Sequence, residues 1–178
     1  MTTQPPEHEP NSFPGELGKF MQIGTREKEL LRENLKALLS KQDELVPGFY
    51  ARFFAQYPEV ERLFVNKHSK KMQTKIMQSL IHLVKHLDRP DILVPTLLEL
   101  GRKHEHYGAL AVHYPIAIDI LLDTMGVVCG KSWNNEIRSV WNAALQAASR
   151  VMLNGYHQGE AHDAGSQNRK ENHGEEAA

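Results

Sequence analysis

The chain predicts an all-α domain, and three observations carry that prediction. Apolar residues recur every three or four positions through six segments, the spacing that lines one face of a helix. No segment alternates apolar and polar residues as a half-buried strand would. Residues that start or stop helices, including Gly108, Pro115 and Ser132, fall between the periodic segments.

The segments follow in order. Thr25 is a candidate N-cap for REKELLRENLKALLSK, with Leu31, Leu35 and Leu38 or Leu39 on one face. DELVPGFYARFFAQY places Val46, Tyr50, Phe53 and Tyr57 on a stripe, which requires Pro47 to sit in the first turn. After the short connection PEVERLF, KKMQTKIMQSLIHLVKHL repeats Met72, Ile76, Leu80, Leu83, Val84 and Leu87 at nearly 3.6-residue spacing, and DRP breaks it. DILVPTLLELGRKHEHY stops near Gly108. One closing helix starts near Pro115, and a longer one is expected after an N-cap at Ser132.

The 178 residues suit one domain with tails: a flexible arm over 1–20, an ordered domain over 21–157 and a disordered tail over 158–178. Lys plus Arg total 21 against 22 for Asp plus Glu, a balance without the basic footprint of a nucleic-acid binder. The single cysteine, Cys129, excludes an internal disulfide framework and suits a reducing, cytoplasmic compartment. No signal peptide and no apolar run of membrane-spanning length is read, and a monomer or weak homodimer is expected.

Chemistry concentrates in the histidines. A helix turns about 100° per residue, so His104 and His106 of RKHEHYG are about 200° apart and cannot share a metal. The stripe Leu93, Leu97, Leu100 reaches His104 next, while His106 falls on the polar face with Glu99 and Arg102. His82 and His86, four apart, have the spacing of a two-histidine zinc contact. Their face also carries Lys75, Ser79, Lys85 and Arg89, and no third ligand is in register, so it reads as a solvated face. His113 opens a helix. A lone histidine on an apolar stripe is either a core residue bonded to backbone or an axial ligand whose other nitrogen donates to a carbonyl one turn back, at Leu97 or Leu100. The second reading suits a cofactor that brings its own equatorial ligands, as haem does.

LGRKHEHYGALAVHYP resembles the proximal segment of globins, the kind shared by bacterial single-domain haemoglobins, flavohaemoglobins and neuroglobin. FYARFFAQYPEVERLF resembles the distal helix and following turn of the same family, and the likeness runs over about residues 25–156. It implies a globin fold, a three-on-three helical sandwich around haem b. It implies His104 as proximal iron ligand, with Leu100 and Tyr107 beside it and Tyr114 as its tyrosine partner. On the distal side it implies Tyr50 as hydrogen-bond donor to O2, Phe64 stacked on the porphyrin and Ile76 over the iron. The distal position one turn before Ile76 is Met72, or Gln73 if the register shifts by one. His68, Lys71 or Met72 could swing in as a sixth ligand. The family's proximal glutamate is missing from WNAALQAASRVMLNGY, where Tyr156 lies nearest.

The resemblance therefore implies reversible binding of O2, NO and CO at a pentacoordinate iron, for transport, storage or sensing. Two alternatives stand beside it. One is NO dioxygenation served by a separate reductase, since this chain is too short to hold one. The other is a haem-free helical interaction module on the same scaffold.

Overall fold

The computed structural model describes residues 23–64 and 70–156, with side chains from residue 74 onward in the second stretch. The expected arm and tail, and the side chains of His68, Lys71, Met72 and Gln73, lie outside the described residues. Seven α-helices are described: α1 (Thr25–Leu39), α2 (Gln42–Gln56), α3 (Pro58–Glu61), α4 (Lys70–Lys85), α5 (Pro90–His106), α6 (His113–Cys129) and α7 (Asn135–Asn154). A 3-10 turn, Gly130–Ser132, links the last two, and there is no strand among the described residues.

Several helix ends differ from the sequence expectation. Thr25 is the first helical residue of α1, not its cap; Gly24 precedes the helix, and its N–H donates to the Glu27 carboxylate. A carboxylate at the third helical position satisfies an end N–H as well as a hydroxyl cap would. Helix α2 starts at Gln42, which puts Pro47 in the second turn. There the proline forgoes one backbone hydrogen bond, and the rest of the helix is held by the core contacts of Leu45, Val46, Phe49 and Phe53. Ser132 caps nothing: its hydroxyl donates to Cys129 O within the 3-10 turn. Asn134 caps α7 instead, its Oδ1 accepting the Ile137 N–H at 2.9 Å. An asparagine carboxamide reaches the third helical N–H from an extended backbone, and Asn134 has that backbone.

Helix α5 packs most extensively on α7, α2 on α6, and α6 on α7, while α1 contacts α4 and α7 and α4 contacts α2. The result is two crossed layers, α1, α4 and α5 over α2, α6 and α7. The core between them holds Leu31, Leu38, Leu45, Leu93, Leu122, Met125 and Trp141, all but sealed from solvent. It also holds a polar relay. Trp141 Nε1–H donates to Asn34 Oδ1 at 2.8 Å, and the Asn34 amide reaches Cys129 Sγ at 3.8 Å. Trp141 can bury its whole surface because its one donor is satisfied.

Helices α5 and α7 approach backbone to backbone. A Cβ on Gly101 would stand 1.9 Å from Met152 O, and one on Gly155 would stand 2.3 Å from Leu98 O. Both are far inside van der Waals contact, so the two glycines set the crossing. Gly101 lies three residues before His104, and the crossing therefore fixes the depth at which that histidine sits.

Candidate functional site

His104 projects from the last turn of α5 and is half-buried. Its Nδ1–H donates to Leu100 O, one turn back, at 2.8 Å. A carbonyl can only accept, so Nδ1 carries the proton and Nε2 presents its lone pair. Nε2 has no hydrogen-bond partner among the described residues and is not sealed from solvent. Burial, opposed by the Leu100 bond and reinforced by the charge of Lys75, holds the imidazole below its usual pKa, hence neutral. A neutral imidazole, locked in one tautomer with a free Nε2, is a metal donor. No cluster of three or more His, Cys, Asp or Glu occurs among the described residues. One imidazole does not hold a bare ion, so a metal here must bring its other ligands with it.

Behind His104 stands Tyr114, 5.9 Å away between ring centres. Its hydroxyl lies 3.1 Å from that of Tyr156, and the Tyr156 hydroxyl donates to Ala109 O at 2.9 Å. Tyr156 has one proton and spends it on that carbonyl, so Tyr114 is the donor between the two. Burial first, then this contact, pushes the Tyr114 pKa well up; the nearby Glu105 carboxylate adds to the rise on both tyrosines. A carboxylate thus acts on the tyrosine pair from α5, one residue after the histidine. The sequence gives no sign of it, because residues 105, 114 and 156 meet only through the tertiary turn after α5.

That turn is built locally. Gly108 has φ +85°, a left-handed conformation that glycine adopts without strain. Its N–H bonds Glu105 O, and Ala109 N–H bonds His104 O, closing the helix end. His113 Nδ1 accepts the Leu110 N–H at 3.0 Å, so this histidine serves the turn. Beyond the turn, Tyr107, Leu110 and Val112 are 53%, 59% and 62% exposed. Lys75 of α4 holds its ammonium 5.9 Å over the Tyr107 ring. Lys75 is exposed, as its polar face predicts, and its charge reaches the histidine side.

The distal candidates form a second group. Tyr50 is half-buried, edge-on to Phe64 at 5.7 Å and stacked with Phe54 at 5.6 Å. Burial pushes its pKa up to about 12, so it keeps its proton. Its hydroxyl has no hydrogen-bond partner among the described residues. Ile76 is half-buried at the edge of the core, and the buried stripe of α4 runs instead through Met77, Leu80, Leu83 and Val84. His106 is exposed beside Tyr107, as expected. A separate open hollow of about 300 Å³ between α6 and α7, lined by Asp119, Asn135 and Arg138 among others, contains none of the candidate residues.

Comparison with known proteins gives this geometry a family. The globin family model matches residues 47–152. A flavohemoprotein from Deinococcus radiodurans is 28% identical over 129 residues, covering 71% of this chain and 32% of that protein. One from Chromobacterium violaceum is 25% identical over 133 residues, covering 74% and 33%. The chain thus spans about a third of the length of these relatives. An engineered carbene transferase, derived from a putative nitric oxide dioxygenase of Rhodothermus marinus, superposes with a TM-score of 0.69 at 23% identity, covering 79% of this chain and 98% of that one. With the family model matched over more than half its length, and with this helical architecture, the chain belongs to the globin family.

Proposed function

We propose that this protein binds haem b through His104 Nε2 and reversibly binds O2, with NO and CO as further ligands. The observation that carries the reading is the state of that imidazole: Nδ1–H anchored on Leu100 O, Nε2 unpartnered among the described residues, the ring neutral. His104 would hold the haem, which would supply an iron centre able to take up diatomic gases. Leu100 holds the ring by its carbonyl, Tyr114 stands beside it, and Tyr107 covers the edge of the macrocycle. Lys75 offers a positive charge beside Tyr107 for the carboxylates of the macrocycle.

On the opposite side Tyr50 retains its proton to about 12 and offers it to a polar ligand. Phe64, edge-on to Tyr50, supplies a flat apolar wall. Ile76 adds apolar cover, and Met72 or Gln73 occupies the position one turn before it. The domain spans residues 21–157 and works in a reducing cytoplasm as monomer or weak homodimer. No described helix is long and apolar enough to cross a membrane.

The proximal hydrogen bonds favour carriage over oxygen–oxygen cleavage. His104 Nδ1–H meets a neutral carbonyl, and Tyr114 turns its own proton toward Tyr156. Neither contact brings a full negative charge onto the ring, so the imidazole stays a modest donor.

The test is the absorption spectrum of the reduced protein, alone and under O2. A five-coordinate spectrum that converts reversibly under O2 is expected, with one haem per chain. A chain purified without haem, and refusing added haem, overturns the reading in favour of an interaction module.

One observation favours a second use of the same site, NO dioxygenation. The relatives carry the name flavohemoprotein, and the structural neighbour derives from a putative nitric oxide dioxygenase. O2, NO and one electron give nitrate, so each turnover needs an electron from a reductase partner. Sustained nitrate formation with an added flavin reductase supports this use; a single stoichiometric burst opposes it.

A further inference from the structure

The face of α4 that carries His82 and His86 keeps Lys75 and Lys85 exposed, as its sequence suggests, but not its two histidines. Both residues are half-buried, and their ring centres lie 4.3 Å apart with the planes tilted by 42°. His86 Nδ1–H donates to His82 O at 2.9 Å, which fixes the tautomer and leaves its Nε2 as a lone-pair donor. His82 Nε2 is sealed from solvent without any hydrogen-bond partner, and no other buried side-chain nitrogen or oxygen among the described residues is in that state. A buried polar atom left unpaired is a standing cost, and native structures seldom carry one without a reason.

We propose that His82 and His86 form a two-imidazole chelate for a divalent late transition cation of the Ni²⁺, Cu²⁺ and Zn²⁺ group, separate from the haem site. A cation about 2.0–2.1 Å from each Nε2 stands about 3.2 Å from each ring centre. Two rings meeting at the right angle of a tetragonal Ni²⁺ or Cu²⁺ have centres about 4.5 Å apart, and on a tetrahedral Zn²⁺ about 5.2 Å. The observed 4.3 Å is close to the first value. The Nδ1–carbonyl bond of His86 is the outer support that metal-binding histidines use to hold their orientation.

The site lacks a carboxylate. Asp88, two residues past His86, is held by Lys28 and Arg32. The side chains over His82 Nε2 must swing aside to admit the cation and the waters that complete its coordination, and Lys85 opposes the incoming charge. Both features limit the site to cations that imidazole prefers and exclude Mg²⁺ and Ca²⁺, which require oxygen donors.

The test is calorimetric titration of the full chain, as purified, with NiCl2 and ZnCl2 near pH 7.5. Wild type, His82→Gln, His86→Gln and the double variant are compared, with helix content checked by circular dichroism. One cation per chain is expected, with affinity about tenfold or more weaker in each single variant. A double variant that binds as wild type does, or a single variant with undiminished affinity, overturns the chelate. A second measurement needs no variant. In ¹⁵N-edited NMR of the wild type, Zn²⁺ must shift the ring Nε2 resonances of both His82 and His86. Shifts confined to other histidines overturn the proposal whatever the variants do. Neither readout depends on haem, so failure here leaves the haem reading standing and failure there leaves this one.

Discussion

The hydroxyls of Tyr114 and Tyr156 lie 3.1 Å apart, and the second donates onward to Ala109 O, tying the end of α7 to the turn that follows His104. Each such bond is worth about 0.5–1.5 kcal/mol net. Tyr156→Phe removes both and is expected to cost about 1–3 kcal/mol in chemical denaturation. Because Tyr114 points its proton away from the histidine, the variant should leave the visible spectrum of the reduced protein nearly unchanged. A large spectral change would make Tyr156 an electronic partner of His104.

Tyr50→Phe tests the distal donor. A charge-assisted bond from the hydroxyl to bound O2 is worth about 1.5–3 kcal/mol. Its loss should speed O2 release roughly 10- to 100-fold, at tenfold per 1.4 kcal/mol. CO is less polar and should be affected far less. Stopped-flow displacement measures both, and an unaltered O2 off-rate would remove Tyr50 from this role.

His104→Gly opens the proximal position. Haem should be lost on gel filtration and held again when free imidazole is added. Retention of haem without imidazole would assign the ligand elsewhere.

The acid response of folding follows from the same residue. Burial holds the folded His104 pKa below 6.5, so as pH falls the unfolded chain takes up that proton first. The group leaves stability untouched above about 6.5 and reduces it as pH falls through that value toward the lowered folded pKa. His82 acts in the same direction, so the measurement is a difference. Between about pH 7 and 5 the wild type should lose more stability than His104→Gln. Parallel pH profiles would show that the ring titrates normally in the folded chain.

Asn34→Ala strands the buried Trp141 N–H, which now donates at 2.8 Å. An unsatisfied buried donor costs about 1–3 kcal/mol, and thermal unfolding should show a destabilisation of that size. Asn34→Asp keeps the acceptor but buries a charge, and should fare no better.

Much of the fold was legible in the sequence, because 3.6-residue periodicity is a local signal. The stripe Leu93, Leu97, Leu100, His104 identified the inward-facing histidine, and the structure gives it the Leu100 carbonyl as one of the two expected partners. Helix ends were less legible. Ser132 and Asn134 are both good caps by residue type, and only the backbone between them decides. Within the site, Lys75 is exposed, as its polar helix neighbours predict, but its approach to Tyr107 depends on the relation between two helices and leaves no local signal. The same holds for Glu105. It neighbours His104 in the chain yet acts on Tyr114 and Tyr156, which lie one and two elements downstream. Gly101 carried no signal at all, since a helical glycine reveals its purpose only when another backbone is found against it.

The meeting of Gly101 with Met152 O and of Gly155 with Leu98 O works as a hard stop. Side-chain interfaces yield when a methyl group is trimmed or added; touching main chains do not. Substitutions elsewhere in the fold can tilt or slide the histidine helix along its neighbour but cannot press it closer. The imidazole's height is therefore insulated from drift in the surrounding core, and sequence change can retune the opposite wall without moving the floor.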